Sequence, residues 1–241
     1  MRWRAAVAFL GALALSSIAA RSSAEGELVD RVVVVFDAPE TGGPVAPQVV
    51  FERELAFEAR LEALATGEPL VEEGGVYAAR HVRGALDRHI ATELLAHLPV
   101  ERDQRVTVDP CDAPAEDPSA TDLERRMTLA RTVVANRVRG MENLYAAAEA
   151  ESYGDAEVSR LLRREALAAR YLDLMVTPML APNDAELRDL LRSTPTPYRG
   201  QRFEDVRCEL RRFVIGQRLG VALAAFLQSS KARIHLRRVR R

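Results

Sequence analysis

The side chains of this sequence that could do chemistry are few and badly spaced for it. His81, His89 and His97 recur every eight residues, which on one helix puts neighbours about 12 Å apart at 1.5 Å rise per residue, too far for one ion to bridge. Histidine pairs that ligate from a helix sit three or four residues apart, as in His-Glu-x-x-His, and no pair has that spacing. These histidines are expected at the surface or half-buried. Glu52, Glu54, Glu58 and Glu62 interleave with Arg53 and Arg60 and read as solvated ion pairs rather than as an acid and a base. There is no nucleophile elbow, no phosphate-binding glycine loop and no Cys-His arrangement of known spacing. No catalytic residue, metal ligand or cofactor-binding residue is therefore assigned, and a non-enzyme is expected.

The two cysteines leave two outcomes open. Cys111 lies in the loop Asp109-Pro110-Cys111-Asp112 and Cys208 in a long helical stretch. A bridge between them would close a loop of about 97 residues and stabilise the fold by about 4.7 kcal/mol in the chain-entropy model. The alternative is two unrelated thiols, one of them buried. A bridge presupposes an oxidising compartment.

The first 24 residues speak for such a compartment. Arg2 and Arg4 precede an apolar run from Ala5 to Ala20, and Ser22-Ser23-Ala24 supplies small residues for cleavage, the pattern of a secretory signal peptide. An uncleaved anchor is the other reading, but about 16 residues fall short of the roughly 20 that span a bilayer core. The expectation is export to the periplasm or beyond, with no integral membrane segment after cleavage. Losing residues 1–24 removes Arg2, Arg4 and Arg21 and no acid, so the balance of 34 basic and 35 acidic residues becomes mildly acidic. That sign argues against a general nucleic-acid binder.

What must position these residues is mostly helix. Aromatics make up 5%, while Ala, Leu, Arg and Glu dominate, the residues that lose least on becoming helical. Residues 25–241 suit a single domain. Val29 to Phe36 holds the only dense β-branched run and predicts a strand; Gln48-Val49-Val50 can return beside it after Thr41-Gly42-Gly43-Pro44. Helices are predicted from Phe51 to Gly67, with Phe51, Leu55, Ala59 and Leu64 on one face, and from Tyr77 to Leu98, on Val82, Leu86, Ile90 and Leu94. Residues 99–120 are rich in Asp and Pro and read as an irregular connection. A capping box at Thr121 and Glu124 opens a helix to about Tyr153-Gly154. Asp155 caps the next, which runs to Pro178, and Asn183 caps a short one to about Leu191. The last helix spans Arg202 to Ser230. Its stretch Val221 to Leu227 is apolar all round, so it is expected to be enclosed, and Gly216-x-x-x-Gly220 suggests a close helix neighbour. Arg233-Ile234-His235-Leu236-Arg237 alternates like an edge strand, and its one suitable partner is Val29 to Phe36. The basic tail beyond Ser230 reads as an edge that resists aggregation or as a patch for anionic lipid or nucleic acid.

The order of elements then carries a resemblance. The strand Val29-Asp30-Arg31-Val32-Val33-Val34-Val35, the helix through Glu54 to Leu64, and Ala85-Leu86-Asp87-Arg88-His89-Ile90-Ala91-Thr92-Glu93-Leu94-Leu95 resemble the N-terminal domain of SurA-type periplasmic chaperones. Val176 to Leu187, followed by Arg199-Gly200-Gln201-Arg202-Phe203-Glu204-Asp205-Val206-Arg207, is similar to that family's closing region, a short helix, a long helix and a final strand. The likeness spans about residues 28–239. It departs from the family in the longer turn from Phe36 to Val50, and no segment has the glycine-rich, strand-dense character of the parvulin isomerase domain. The resemblance implies a mainly helical domain with a small sheet joining its N- and C-terminal strands. It implies a protein that binds unfolded or extended polypeptides in the cell envelope through apolar grooves, without a cofactor. A structural or assembly subunit of an envelope complex, and a degenerate peptidyl-prolyl isomerase relative, are the alternatives.

Overall fold

The computed structural model of the protein describes residues 30–71, 77–100, 111, 121–231 and 233–239. The expected signal peptide at 1–24, most of the connection at 99–120 and the last two arginines lie outside the described residues.

Branching at Cβ favours extended backbone, and the valine run forms β1 (Val32–Asp37). After a short turn of 3-10 helix at Pro39–Thr41, β2 (Gln48–Phe51) returns antiparallel beside it. On the other side lies β3 (His235–Arg238), also antiparallel, so the order is β2-β1-β3 with the early strand in the middle. The expected meeting of the early valine strand and the late strand is therefore present, over Val34–Asp37 and His235–Arg238, while Val29 lies outside the described residues. One face of the sheet buries Val34, Phe36 and Val50 against Ile90 and Leu94.

Those two residues belong to α2 (Ala79–His97), which follows α1 (Glu52–Thr66). The helix α1 stops at Gly67, whose φ of 71° only glycine adopts freely and whose N–H bonds to the Ala63 carbonyl. Next come α3 (Asp122–Arg137), α4 (Met141–Ala150) and α5 (Asp155–Tyr171). Phe57 and Leu61 of α1 meet Val134 of α3, Leu144 of α4 and Leu162 of α5 in a second core. A third core joins α7 (Asp184–Ser193) to the first half of α8 (Phe203–Lys231) through Leu187, Phe203, Val206 and Leu210. At 1.5 Å per residue α8 is about 44 Å long, enough to run from that third core to the sheet, where Phe226 packs.

Several boundaries differ from expectation, each for a local reason. The helix expected from Thr121 to Tyr153 is two helices, although the Thr121 capping box is present: Thr121 Oγ1 accepts from the Glu124 N–H at 3.2 Å, and Glu124 accepts from the Thr121 N–H at 2.8 Å. The break falls at Arg139 and Gly140, with φ of 65° and 138°. The Gly140 N–H reaches back to Ala135 O at 2.8 Å, Asn143 Nδ2 donates to Val138 O at 2.9 Å, and Val138 is fully buried. Apolar spacing continues through such a turn, which hides it from periodicity. The cap of α5 is Gly154, one residue before the expected Asp155, because the Glu157 carboxylate accepts from the Gly154 N–H. Beyond α5 a π turn (Leu172–Val176) leads into α6 (Thr177–Leu180), so the helical path passes Pro178, which sits in a first turn where its missing N–H costs nothing. Asn183 caps α7 as expected, accepting from the Glu186 N–H at 2.9 Å.

The Val221 to Leu227 stretch is not enclosed. Val221 is 73% exposed, Ala224 and Ala225 are exposed, and Leu223, Phe226 and Leu227 are half-buried. Gly216 and Gly220 also face open space among the described residues, since a Cβ on either would meet nothing within 4 Å. In α1 the expected face was too narrow: Phe51 is 39% exposed, while Phe57 and Leu61 are buried because the helix is covered on two sides.

Cys111 and Cys208 are joined as a disulfide across 97 positions, and Arg212 donates to the Cys111 carbonyl at 3.0 Å. The bridge ties the connection before α3 to the first half of α8. Two outcomes are expected. Cys208→Ser should lower unfolding free energy by several kcal/mol, toward the roughly 4.7 kcal/mol of loop-closure entropy, in denaturant titrations under oxidising conditions; a midpoint equal to wild type would contradict it. Deleting residues 232–241 leaves β1 with one neighbour and should lower the melting temperature by about 2–4 °C for each kcal/mol of pairing lost, whereas an unchanged melt would show that β3 contributes nothing.

Candidate functional site

Two arrangements of side chains stand out, one charged and one apolar. The charged one lies where α1, α2 and α5 meet. Glu58 of α1, flanked by the buried Phe57 and Ala59, is itself 4% exposed. Its Oε1 accepts from His89 Nδ1 of α2 at 2.9 Å and from the Arg164 guanidinium of α5. Arg164 also donates to Glu54 Oε1 at 3.1 Å and lies 3.8 Å from Glu93 Oε2. Above the cluster Tyr153 stacks on Phe57 with ring centroids 4.8 Å apart.

The electrostatics are decided by pairing. Burial pushes the Glu58 carboxyl up, but the charges and hydrogen bonds of Arg164 and His89 outweigh it and hold the group at about 2. For Arg164 burial works against the charge, and Glu58, Glu54 and Glu93 more than offset it, so the guanidinium is held above its ordinary range. Tyr153 is pushed up by burial and then by Glu54 and Glu58. Next to Arg164, Glu165 is also raised, with burial the main cause.

Glu54, Glu58 and His89 bring their ligand atoms within 4.8 Å of one another, a set that could in principle hold a metal ion. Arg164, bonded to both carboxylates, already places a cation between them, so the set does not fit a metal. A carboxylate on a histidine Nδ1 can also orient a general base, yet here the same oxygen is shared with Arg164 and His89 is 4% exposed. What the arrangement does chemically is lock three helices together. The expectations of surface or half-buried histidines and solvated glutamates are thus corrected for His81, His89 and Glu58; His81 is 3% exposed and its Nε2 lies 3.1 Å from the Pro69 carbonyl, while His97 is exposed. Arg164 was missed altogether. Its signal was its position three residues after Leu161, on the buried stripe of α5.

The apolar arrangement surrounds the uncovered half of α8. A cleft of about 440 Å³ lies between α2, α8 and β3, lined by Ile90, Ala224, Leu227, Ile234 and Leu236 together with the polar Asp87 and Gln228. Across Leu227 a second, of about 410 Å³, has an apolar wall of Leu95 of α2, Ala168 and Ala169 of α5, and Leu223 of α8, with Asp87, Arg88 and Glu165 also lining it. Both volumes fall within the range of about 300–1,000 Å³ that binding pockets occupy. By contrast the cleft beside the charged cluster, about 350 Å³, is walled largely by His89, Glu93, His97, Arg160, Arg163 and Arg164. No helix among the described residues is long and apolar enough to cross a membrane.

Comparison of the chain with protein-family models, with curated proteins and with solved structures gave no match.

The charged cluster yields a test with a definite sign. Glu58 binds its proton less readily folded, at about 2, than at its ordinary 4.5, so its stabilisation is present above that ordinary value and is lost as pH falls toward 2, in total on the order of 3 kcal/mol. Glu58→Gln should be destabilised at pH 7 by about that amount, and the gap to wild type should close between pH 4.5 and pH 2. A gap that is constant across this window in pH-dependent denaturation would contradict the assignment.

Proposed function

We propose that the protein holds unfolded or partly folded polypeptides after export, without catalysis, using the apolar clefts on either side of the second half of α8. The observation that carries this reading is the stretch Val221 to Leu227, apolar in every direction yet only partly covered, with Val221 73% exposed and Ala224 and Ala225 exposed. Exposing such a surface costs solvation, and contiguous apolar surface of this kind commonly marks a binding site. Aliphatic side chains form most of the cleft walls, with Asp87, Arg88 and Glu165 at them, so the apolar part of the contact is non-directional and tolerant of sequence. The leader-like residues 1–24 support export, and the resemblance of residues 28–239 to SurA-type N-terminal domains supports a polypeptide ligand.

An unfolded client loses conformational entropy when held, so affinity per site is low. Apolar contact is also screened little by salt. The purified protein should slow aggregation of a denatured outer-membrane protein in light scattering, at 50 mM and at 300 mM salt, and should not accelerate isomerisation of a proline peptide. Val221→Asp combined with Leu227→Asp should weaken the effect by about tenfold or more, since burying one leucine side chain contributes about 1.5–3 kcal/mol. No effect of the wild-type protein at several-fold excess would overturn the proposal, and robust isomerase turnover would replace it with an enzymatic one.

A further inference from the structure

The outer edge of the sheet gives the cleft a direction. Val239 N–H donates to Val33 O at 3.1 Å, and the register pairs Val35 with Arg237 and Asp37 with His235. In an antiparallel ladder, hydrogen-bonded pairs alternate with non-bonded ones. Residues 235, 237 and 239 therefore spend their backbone groups on β1. Leu236 and Arg238 turn their N–H and C=O outward, and among the described residues no strand pairs with that edge. The side chain of Leu236 falls on the same face as its partner Phe36, which is buried, and Ile234 and Leu236 wall the first cleft. Open backbone groups and an apolar cleft thus lie side by side.

Charge selects what fits there. Arg233, Arg237 and Arg238 are exposed and have no carboxylate partner among the described residues. On the solvent face His235 is paired with Asp37 at 2.8 Å, leaving Arg237 as the cation next along the strand. A second copy of β3 laid antiparallel on the first would bring Arg237 and Arg238 of both copies together, and like charges across a strand pair are destabilising.

We infer that β3 is extended by an incoming polypeptide strand whose alternate residues are apolar, facing the Ile234, Leu236 and Leu227 cleft, and acidic, facing Arg237. This inference rests on the holding role proposed above and specifies its ligand. The incoming strand donates to and accepts from Leu236 and Arg238, which supplies sequence-independent binding, while the cleft and the arginines select the pattern.

The test uses the purified protein and a fluorescent octapeptide of alternating Glu and Val. Binding is read by anisotropy and amide exchange by NMR. Saturation with peptide should slow exchange of the Leu236 and Arg238 amides at least about tenfold, the loss expected when two free amides become hydrogen-bonded, with little change at His235 and Arg237. The same peptide N-methylated at alternate residues, or with Lys for Glu, should bind about tenfold more weakly. Leu236→Pro removes the outward N–H as well as the leucine side chain, whereas Leu236→Ala removes the side chain alone, so the proline variant should bind more weakly than the alanine one; the peptide controls keep the test valid if the proline variant does not fold. Unchanged exchange at Leu236 and Arg238, or equal binding of the N-methylated peptide, overturns strand addition. If aggregation is still suppressed in that case, the holding role stands alone. Protection of both amides without peptide, fixed or rising with protein concentration, shows the edge covered by this chain or by a second copy and also overturns it. The expected protection without any suppression of aggregation upholds strand addition and removes the holding role.

Discussion

The fold depends on one buried ion cluster. Glu58 is removed from water at the meeting of α1, α2 and α5, and it is tolerable there only because Arg164 and His89 converge on it from the other two helices. A buried pair of this kind adds little net stability compared with a well-packed apolar replacement, but removing one partner is costly. Its consequence is positional. Each of the three helices can slide or rotate only by abandoning a charge, so the cluster sets their mutual register while Phe57, Leu61, Val134 and Leu162 supply the non-directional attraction around it.

That fixed register decides where apolar surface is left over. With α2 held between α1 and α5, one side of α2 receives the sheet through Ile90 and Leu94. The third core is built separately, from α7 and the start of α8. The rest of α8 has to reach from one core to the other, and the disulfide at Cys208 pins its first half while β3 pins its end. Between the two anchors Val221 to Ala225 pass over the clefts without filling them. A stretch that would collapse inward in a simple bundle is thereby kept at the surface.

Elements with strong local causes were legible in the sequence. The valine run, the return of Arg233 to Arg237 to it, the Thr121 capping box and the Asn183 cap all appear where their local chemistry places them. Features that depend on what lies opposite were not. The break at Gly140 preserves apolar spacing, so periodicity continues through it. Glu58 looks solvated until the positions of His89 and Arg164 are known, and Val221 to Leu227 looks like a core segment because its all-round apolar character does not say whether neighbours exist. The charged cluster was therefore invisible in sequence, whereas the small sheet joining distant segments was visible. The resemblance in the order of elements and the apolar helices supplied the functional expectation, and the proposed function uses the partly exposed half of α8.

On the proposed function, clients bind at the partly exposed half of α8 because of its place beside the clefts, and not because any exposed apolar residue attracts them. The direct measurement is site-specific photo-crosslinking to one denatured outer-membrane protein from two positions: Ala224, at the first cleft, and Val133 on α3, which is apolar and 57% exposed but lines neither α8 cleft. A strong adduct from position 224 and little from position 133 is the predicted result. Equal adducts from both positions, or none from 224, would contradict the account.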